Sequence, residues 1–333
     1  MFRDDLAGNL AVDTDGNGSF DSLKLIDILH EQVLQKCDAN DGIRDGVLAS
    51  PLSCDFEPAS DLADLMCPAG NSSDQCFTSA QLQTVQDFYQ GPRDDNGVQI
   101  YPGKMLGSEM RWAGFYVPSE ANNNGPSKLI GVAGDHMNYL FYEEDPGVTI
   151  PNVRDYNYQA KTEGPFPEFH WIDYDINDFT NGSGDLMMSI TDATDPDLSQ
   201  FLKDRGGKLI MYHGLIDTLI VAESTQNYYN DMVDATFSGS MAAAKENARL
   251  FLAPGMAHCA GGNGPNTWDK LTPLVNWVEN GTAPDTVIAT HSSNGVVDNE
   301  RPLCAVPQQA RYIGPSDSAD NPANWIAENF RCE

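Results

Sequence analysis

Positive charge is scarce in this sequence. Lysine and arginine together number 19 against 49 aspartates and glutamates, a formal net charge of -30. Such a surface repels phosphate backbones and anionic lipid, which argues against nucleic-acid and membrane-surface roles. It favours divalent cations. Long apolar runs are also missing: none reaches the roughly 18 residues a membrane span needs. The N-terminal "MFRDDLAGNL" has no apolar stretch of the secretory-leader kind and carries charges at Arg3, Asp4 and Asp5. A last absence bears on chemistry. No G-x-S-x-G elbow occurs anywhere, and the serines in "LGSEM" (Ser108) and "NGSGD" (Ser183) lack both its spacing and a preceding apolar strand.

What is present is enough chain for about two domains, with apolar residues at 41%. Seven cysteines occur, four of them within residues 37–76, and sequons stand at Asn17, Asn71, Asn181 and Asn280. Together these favour an oxidising compartment and a secreted, extracellular protein. A secreted protein begins with a leader, so the expectation is that a leader has been removed or that the true N-terminus lies upstream. Proximity pairs Cys37 with Cys54 and Cys67 with Cys76. Cys304 and Cys332 flank a polar C-terminal tail that a bridge would tie down. The odd cysteine, Cys259, needs a partner outside this chain.

Two acidic loops invite a metal reading. "DTDGNGSFD" at 13–21 matches the start of an EF-hand loop at Asp13, Asp15, Asn17 and Gly18, but the twelfth position is Lys24 instead of a bidentate Glu. It reads as an Asp/Gly turn leading into a helix over about 21–36. "CDANDGIRDGVLASPLSC" at 37–54 differs. Asp38, Asp41 and Asp45 fall within eight residues, with Gly42 and Gly46 allowing sharp turns. Those carboxylates plus the carbonyls of Ile43 and Val47 would supply most of the oxygen shell of a Ca²⁺ ion. The same spacing also suits a solvated acidic turn.

Residues 55–200 read as irregular and rich in aromatics: Trp112, Phe115, Tyr116, Tyr139, Phe141, Tyr142, Phe166, Phe169 and Trp171. Such residues fill a loop-rich core or line a pocket for an aromatic group; Trp112, in "SEMRWAGF", is the candidate for substrate contact. The texture changes near 205. "KLIMY" (208–212) and "RLFLA" (249–253) read as strands, separated by a helical stretch over about 222–248 broken near Gly239, with another helix over about 267–280. Alternation of this kind predicts a parallel sheet. Asp217 follows the first strand and His258 the second, the order of acid and base in α/β-hydrolase triads. His213 precedes the acid and reads as a packing residue of the turn. His30, His136, His170 and His291 have no acid or metal partner at a telling spacing.

On these residues the chain resembles the tannase and feruloyl esterase family of α/β-hydrolases, over nearly its whole length. "CDANDGIRDGV" resembles the family's calcium loop, "DPDLSQFLKDRGGKLIMYHGLIDTLI" its acid-bearing strand and turn, and "PGMAHCAGGNGPNTWD" followed by "WVENGTAP" its histidine turn. The resemblance implies the C-terminal part of an α/β-hydrolase fold at 196–333, preceded by a loop-rich lid domain with a calcium site at 1–195. It implies Asp217 as acid, His258 as base, and Asp38, Asp41, Ile43, Asp45 and Val47 as ligands of a structural Ca²⁺. In this family a cysteine preceding the nucleophilic serine is bridged to the one after the histidine, here Cys259. The family's G-C-S-x-G-G segment is absent. The expectation is therefore the C-terminal half of a secreted serine esterase for aromatic-acid esters, inactive alone, whose partner is an N-terminal half carrying the serine. That half would be a separate chain produced by processing, or sequence missing here. The rival from another class is a non-catalytic, calcium-stabilised binding module.

Overall fold

The computed structural model describes residues 8–117, 119, 177 and 185–333. Of the residues singled out above, Tyr139, Phe141, Tyr142, Phe166, Phe169, Trp171, His136, His170, Asn181 and Ser183 lie outside them. The chain divides into two compact units, Met1–Ile28, Pro58–Gly103 and Trp112–Ala193 in one, Leu29–Glu57, Lys104–Arg111 and Thr194–Glu333 in the other. The units interleave along the sequence, and the acidic loop at 37–54 falls in the second.

Helix α1 (Lys24–Cys37) lies close to its predicted span and buries Leu25, Ile26, Leu29 and Val33, an i, i+3/i+4 pattern. The EF-hand-like segment before it is a self-capped turn: the Asp13 carboxylate accepts from the N–H groups of Gly16, Asn17 and Gly18. Helix α2 (Ser79–Gln90) lies inside the stretch read as irregular, and its start is fixed by a reciprocal capping box between Thr78 and Gln81. In the same unit Trp112 is fully buried, edge-on to the rings of Phe88 at 4.9 Å and Tyr89 at 5.4 Å. The indole of Trp112, the candidate for substrate contact, is thus part of that unit's core.

The second unit is built on a parallel pair, β1 (Leu209–Gly214) and β2 (Ala248–Ala253), in register from Leu209↔Ala248 to Gly214↔Ala253. Helix α3 (Ala222–Phe237) makes the crossover between them. It ends at Ser238 and Gly239, both at positive φ, where the sequence signalled a break. Alternation along the strands sets the two faces. Ala248 and Leu250 pack with Tyr229, Met232, Val233 and Phe237 of the crossover helix. Phe251 and Ala253 pack on the other face, with Ala289 and Leu303. Those two belong to an antiparallel hairpin, β3 (Thr286–Ser293) and β4 (Val296–Cys304), which follows helix α4 (Thr272–Asn280). A short antiparallel pair, β5 (Ala310–Tyr312) and β6 (Phe330–Cys332), closes the chain.

Three disulfides staple this arrangement: Cys37–Cys54 and Cys67–Cys76, as proximity along the chain suggested, and Cys304–Cys332, which ties down the C-terminal tail. The first closes a separation of 17 residues, worth about 3 kcal/mol in the chain-entropy account. Cys259 is unbonded and exposed. Because Leu250 is fully buried between helix and sheet, Leu250→Ala is expected to cost about 2–5 kcal/mol in a urea unfolding titration. Val278→Ala, on the exposed side of α4, should stay within about 0.5 kcal/mol.

Candidate active site

The site grows from the carboxyl ends of β1 and β2. Beyond Gly214 the chain turns at once, and the Asp217 N–H donates to the Gly214 carbonyl. Beyond Ala253 the chain loops through 254–264, closed by Ala257 N–H to Gly261 O at 2.9 Å and Gly264 N–H to Gly255 O at 3.1 Å. The two turns are stitched together: Leu215 N–H donates to Ala253 O at 2.9 Å and Ile216 N–H to Met256 O at 3.0 Å. Close approach explains why position 214 is glycine. A Cβ there would lie 2.3 Å from the Met256 carbonyl oxygen, far inside van der Waals contact.

This stitching brings Asp217 and His258 together across 41 residues of sequence, with His258 Nδ1 2.9 Å from Asp217 Oδ2. The carboxylate is 3% exposed and the imidazole 49%. Asp217 Oδ1 accepts from the N–H groups of Leu219 at 2.9 Å and Ile220 at 3.1 Å, which fixes the carboxylate plane. Burial alone would raise its pKa, but hydrogen bonds from His213, His258, Ile220 and Leu219 outweigh that and hold it below the ordinary carboxylate value. An ionised Asp217 keeps the His258 proton on Nδ1 and leaves Nε2 as the basic nitrogen. Among the described residues the His258 ring has no hydrogen-bond partner other than Asp217.

Two supporting residues have no signature in the sequence. His213, on β1, places Nε2 2.8 Å from the Ile220 carbonyl and 3.4 Å from Asp217 Oδ2, with Nδ1 2.7 Å from the Thr225 hydroxyl. A carbonyl only accepts, so Nε2 carries the proton and Nδ1 of the neutral ring accepts from Thr225. His213 thus packs in the turn, as its position before the acid suggested, and also steadies the carboxylate. Lys104 donates from Nζ to the Thr218 carbonyl at 2.7 Å, directly behind the acid. Burial pulls its pKa down to about 8 against the opposing pull of Asp217.

Two other histidines among the described residues gain partners that spacing did not reveal. His30 Nδ1 lies 2.6 Å from Glu109 Oε2, whose side chain is fully buried, and His291 Nδ1 lies 2.6 Å from Asp298 Oδ1. Neither pair joins the Asp217–His258 site by any recorded contact, and both corrections come from contacts that spacing along the chain does not mark.

The acidic loop is a second candidate centre. Each carboxylate commits one oxygen to the loop's own backbone: Asp38 accepts from Gly46, Asp41 from Ile43 and Asp45 from Val47. Gly46 makes the turn possible at φ +75°. Burial, reinforced by mutual repulsion among the three, raises Asp38 and Asp41 each to about 6. Asp38 Oδ1 and Asp41 Oδ2 are buried without a hydrogen-bond partner. Among the described residues no three carboxylate, histidine or cysteine side chains are drawn together as a ready-made metal cage. The donors are nevertheless hard oxygens, desolvated and under-satisfied, which is the chemistry a hard cation takes up.

A family model described as tannase and feruloyl esterase matches residues 7–327. The chain belongs to the tannase and feruloyl esterase family. It is 32% identical over 327 residues to a mono(2-hydroxyethyl) terephthalate hydrolase of Piscinibacter sakaiensis, covering 90% of this chain and 51% of that protein. It is 29% identical over 326 residues to a probable feruloyl esterase B-1 of Aspergillus flavus, covering 92% and 55%. Among solved structures it matches an esterase from Aspergillus oryzae with a TM-score of 0.69 at 26% identity, over 96% of this chain and 58% of that one. A feruloyl esterase B from the same organism matches in fold with a TM-score of 0.71 at 24% identity, over 97% and 59%. The chain thus spans little more than half the length of these relatives; the structural neighbours are esterases of α/β-hydrolase type, and this chain carries a parallel strand pair.

Two outcomes follow from the geometry. Gly214→Ala should destabilise the chain by about 1–3 kcal/mol, the usual cost of overpacking, read from chemical denaturation. The lowered pKa of Asp217 supplies stability that is present above the ordinary carboxylate range and is lost as pH falls through its folded value. Stability measured from pH 6 down to pH 3 should therefore drop less steeply in Asp217→Asn than in the parent.

Proposed function

We propose that this chain is the C-terminal half of a serine carboxylesterase acting on esters of aromatic acids, of feruloyl esterase or tannase type. The observation that carries this reading is the buried Asp217 carboxylate held 2.9 Å from a half-exposed His258 at the ends of adjacent parallel strands. This is the acid–base pair of a triad, and it lacks only a nucleophile. The serine lies in an N-terminal segment, on a separate chain or in sequence outside this one. In the assembled site His258 Nε2 takes the serine proton as the acyl-enzyme forms and returns it to the leaving alcohol. Asp217 stabilises the imidazolium between those steps. The relatives' names point to terephthalate and ferulate esters, which supports an aromatic acyl group as the substrate class.

Around this centre the finer assignments are as follows. Cys259, exposed and next to the base at φ +59°, is bridged to a cysteine beside the serine. That bond would hold nucleophile and base in register across the two segments. The loop at 37–54 holds one structural Ca²⁺ through the carboxylates of Asp38, Asp41 and Asp45 and the carbonyls of Ile43 and Val47. The ion's contribution is charge neutralisation of a buried acidic turn. Residues 1–195 correspond to the lid segment of such an enzyme and 196–333 to its catalytic part. The protein is secreted; three disulfides and the exposure of Asn17, Asn71 and Asn280 support that reading. A non-catalytic binding module would have no use for an acid–base pair in this geometry.

The 333-residue chain should show no turnover of methyl ferulate or methyl gallate by itself. Co-expressed with the serine-bearing segment it should hydrolyse at least one of them, and His258→Ala in that assembly should lower kcat by several orders of magnitude. Turnover by the chain alone that disappears when one of its own serines is replaced would overturn the two-segment reading. For the metal, a thermal scan should show the melting temperature rising with free calcium and falling on chelation.

A further inference from the structure

Five buried polar atoms without a hydrogen-bond partner gather in one place: Asp38 Oδ1, Asp41 Oδ2, Asn299 Oδ1, and Nε and Nη1 of Arg301. Arg301 comes from β4, more than 250 residues away from the acidic loop. Its side chain has no solvent exposure. Nη2 is 2.7 Å from Asp45 Oδ2, a hydrogen-bonded ion pair. Nη1 is 3.0 Å from Asp41 Oδ2, close enough to pair by charge but not aligned as a hydrogen bond. Asn299, two residues earlier and so on the same face of β4, donates to Asp45 Oδ2 at 3.2 Å. The Phe330 ring lies under the guanidinium, 4.7 Å from its carbon.

Charge decides what this arrangement is for. Three buried carboxylates against one buried guanidinium leave two negative charges uncompensated, since Arg44 in the loop and Arg311, which donates to the Asn40 carbonyl, are exposed. Buried charge of that size is not tolerated without a partner. A single divalent ion matches it, whereas a monovalent ion leaves one charge over. The fork of an arginine also does what a lysine cannot, which is to hold two carboxylates at fixed separation.

Resting on the calcium reading above, we propose that Arg301 is the positioning residue of this cation site: its guanidinium spans Asp41 and Asp45, fixes both carboxylates for ligation, and leaves a residual charge that one divalent ion neutralises. The side chain touches the ligands and not the ion. It couples the C-terminal hairpin to the acidic loop, so the loop is pre-organised only when β4 is folded.

Calorimetric titration of calcium chloride into the intact, chelator-stripped chain tests this. Melting with and without chelator accompanies it, and circular dichroism checks the fold. The parent should bind one Ca²⁺. Arg301→Lys keeps the charge and loses the fork, and should bind at least tenfold more weakly, with a smaller calcium-induced rise in melting temperature. A purely structural Arg301 would lower melting equally with calcium and with chelator. Phe330→Leu leaves every polar group in place and should weaken binding two- to fivefold. A folded Arg301→Lys that binds as tightly as the parent, or more tightly, overturns the proposal. So does unchanged binding by Phe330→Leu if Arg301→Lys does not fold. No calcium binding by the parent would instead remove the calcium reading on which the proposal rests.

Discussion

The carboxylate of Asp217 is the point at which the second unit's architecture and its chemistry meet. It is almost fully buried, yet it accepts from two backbone N–H groups and is approached by two histidines. Those contacts are what keep it ionised despite desolvation. They exist only because β1 and β2 run parallel and in register, so that both chains leave the sheet at the same end. The missing side chain at Gly214 then lets one turn rest on the carbonyl of the other. An imidazole on a glycine-rich loop would otherwise be free to rotate, and acid–base chemistry depends on its orientation. Lys104 and His213 complete the support from behind, so the exposed part of the site is the imidazole itself.

The same unit contains a second buried electrostatic centre, organised by the opposite logic. At Asp217, backbone donors and histidines more than compensate burial. At the acidic loop, compensation is partial: each carboxylate has one oxygen satisfied by the loop, the other oxygens of Asp41 and Asp45 meet a single guanidinium, and Asp38 Oδ1 has no hydrogen-bond partner. The outcome appears in the direction of titration, below the ordinary value for Asp217 and well above it for Asp38 and Asp41. Two clusters of similar composition therefore differ in what they can do. One is complete enough to orient a base, and the other carries a charge deficit suited to a cation. In a chain with a net charge of -30, an acidic loop on the surface would be unremarkable; burial against β4 is what gives this one chemical meaning.

Family membership bears on the first centre in a specific way. The relatives are nearly twice as long as this chain, and its acid and base stand together with no nucleophile in contact among the described residues. The buried Asp217 carboxylate is held ionised by its hydrogen bonds, and Cys259 beside His258 takes a positive φ. The geometry of this acid–base pair supports the proposal that the chain is part of an esterase and not a binding module built on the same scaffold.

Much of this was legible in the sequence because it is written in local patterns. Apolar runs ending in turns marked β1 and β2, a glycine marked the break after α3, and the order of Asp217 and His258 after the two strands marked a pair that the fold brings together. Two disulfides followed from closeness along the chain, and the third from the polar tail that Cys304 and Cys332 flank. The hairpin β3–β4 and helix α2 were not legible, the hairpin because its exposed valines mask the alternation, the helix because its stretch is polar and broken by aromatics. Nor were the partners of His30 and His291, the support from Lys104, or the burial of Trp112. Least legible was Arg301, one arginine among few, more than 250 residues from the carboxylates it touches. Sequence fixes which groups can ionise, donate or turn the chain, since those are properties of single residues and short spacings. Which of them lose their water, and against what, depends on contacts between distant segments, and only the folded chain decides that.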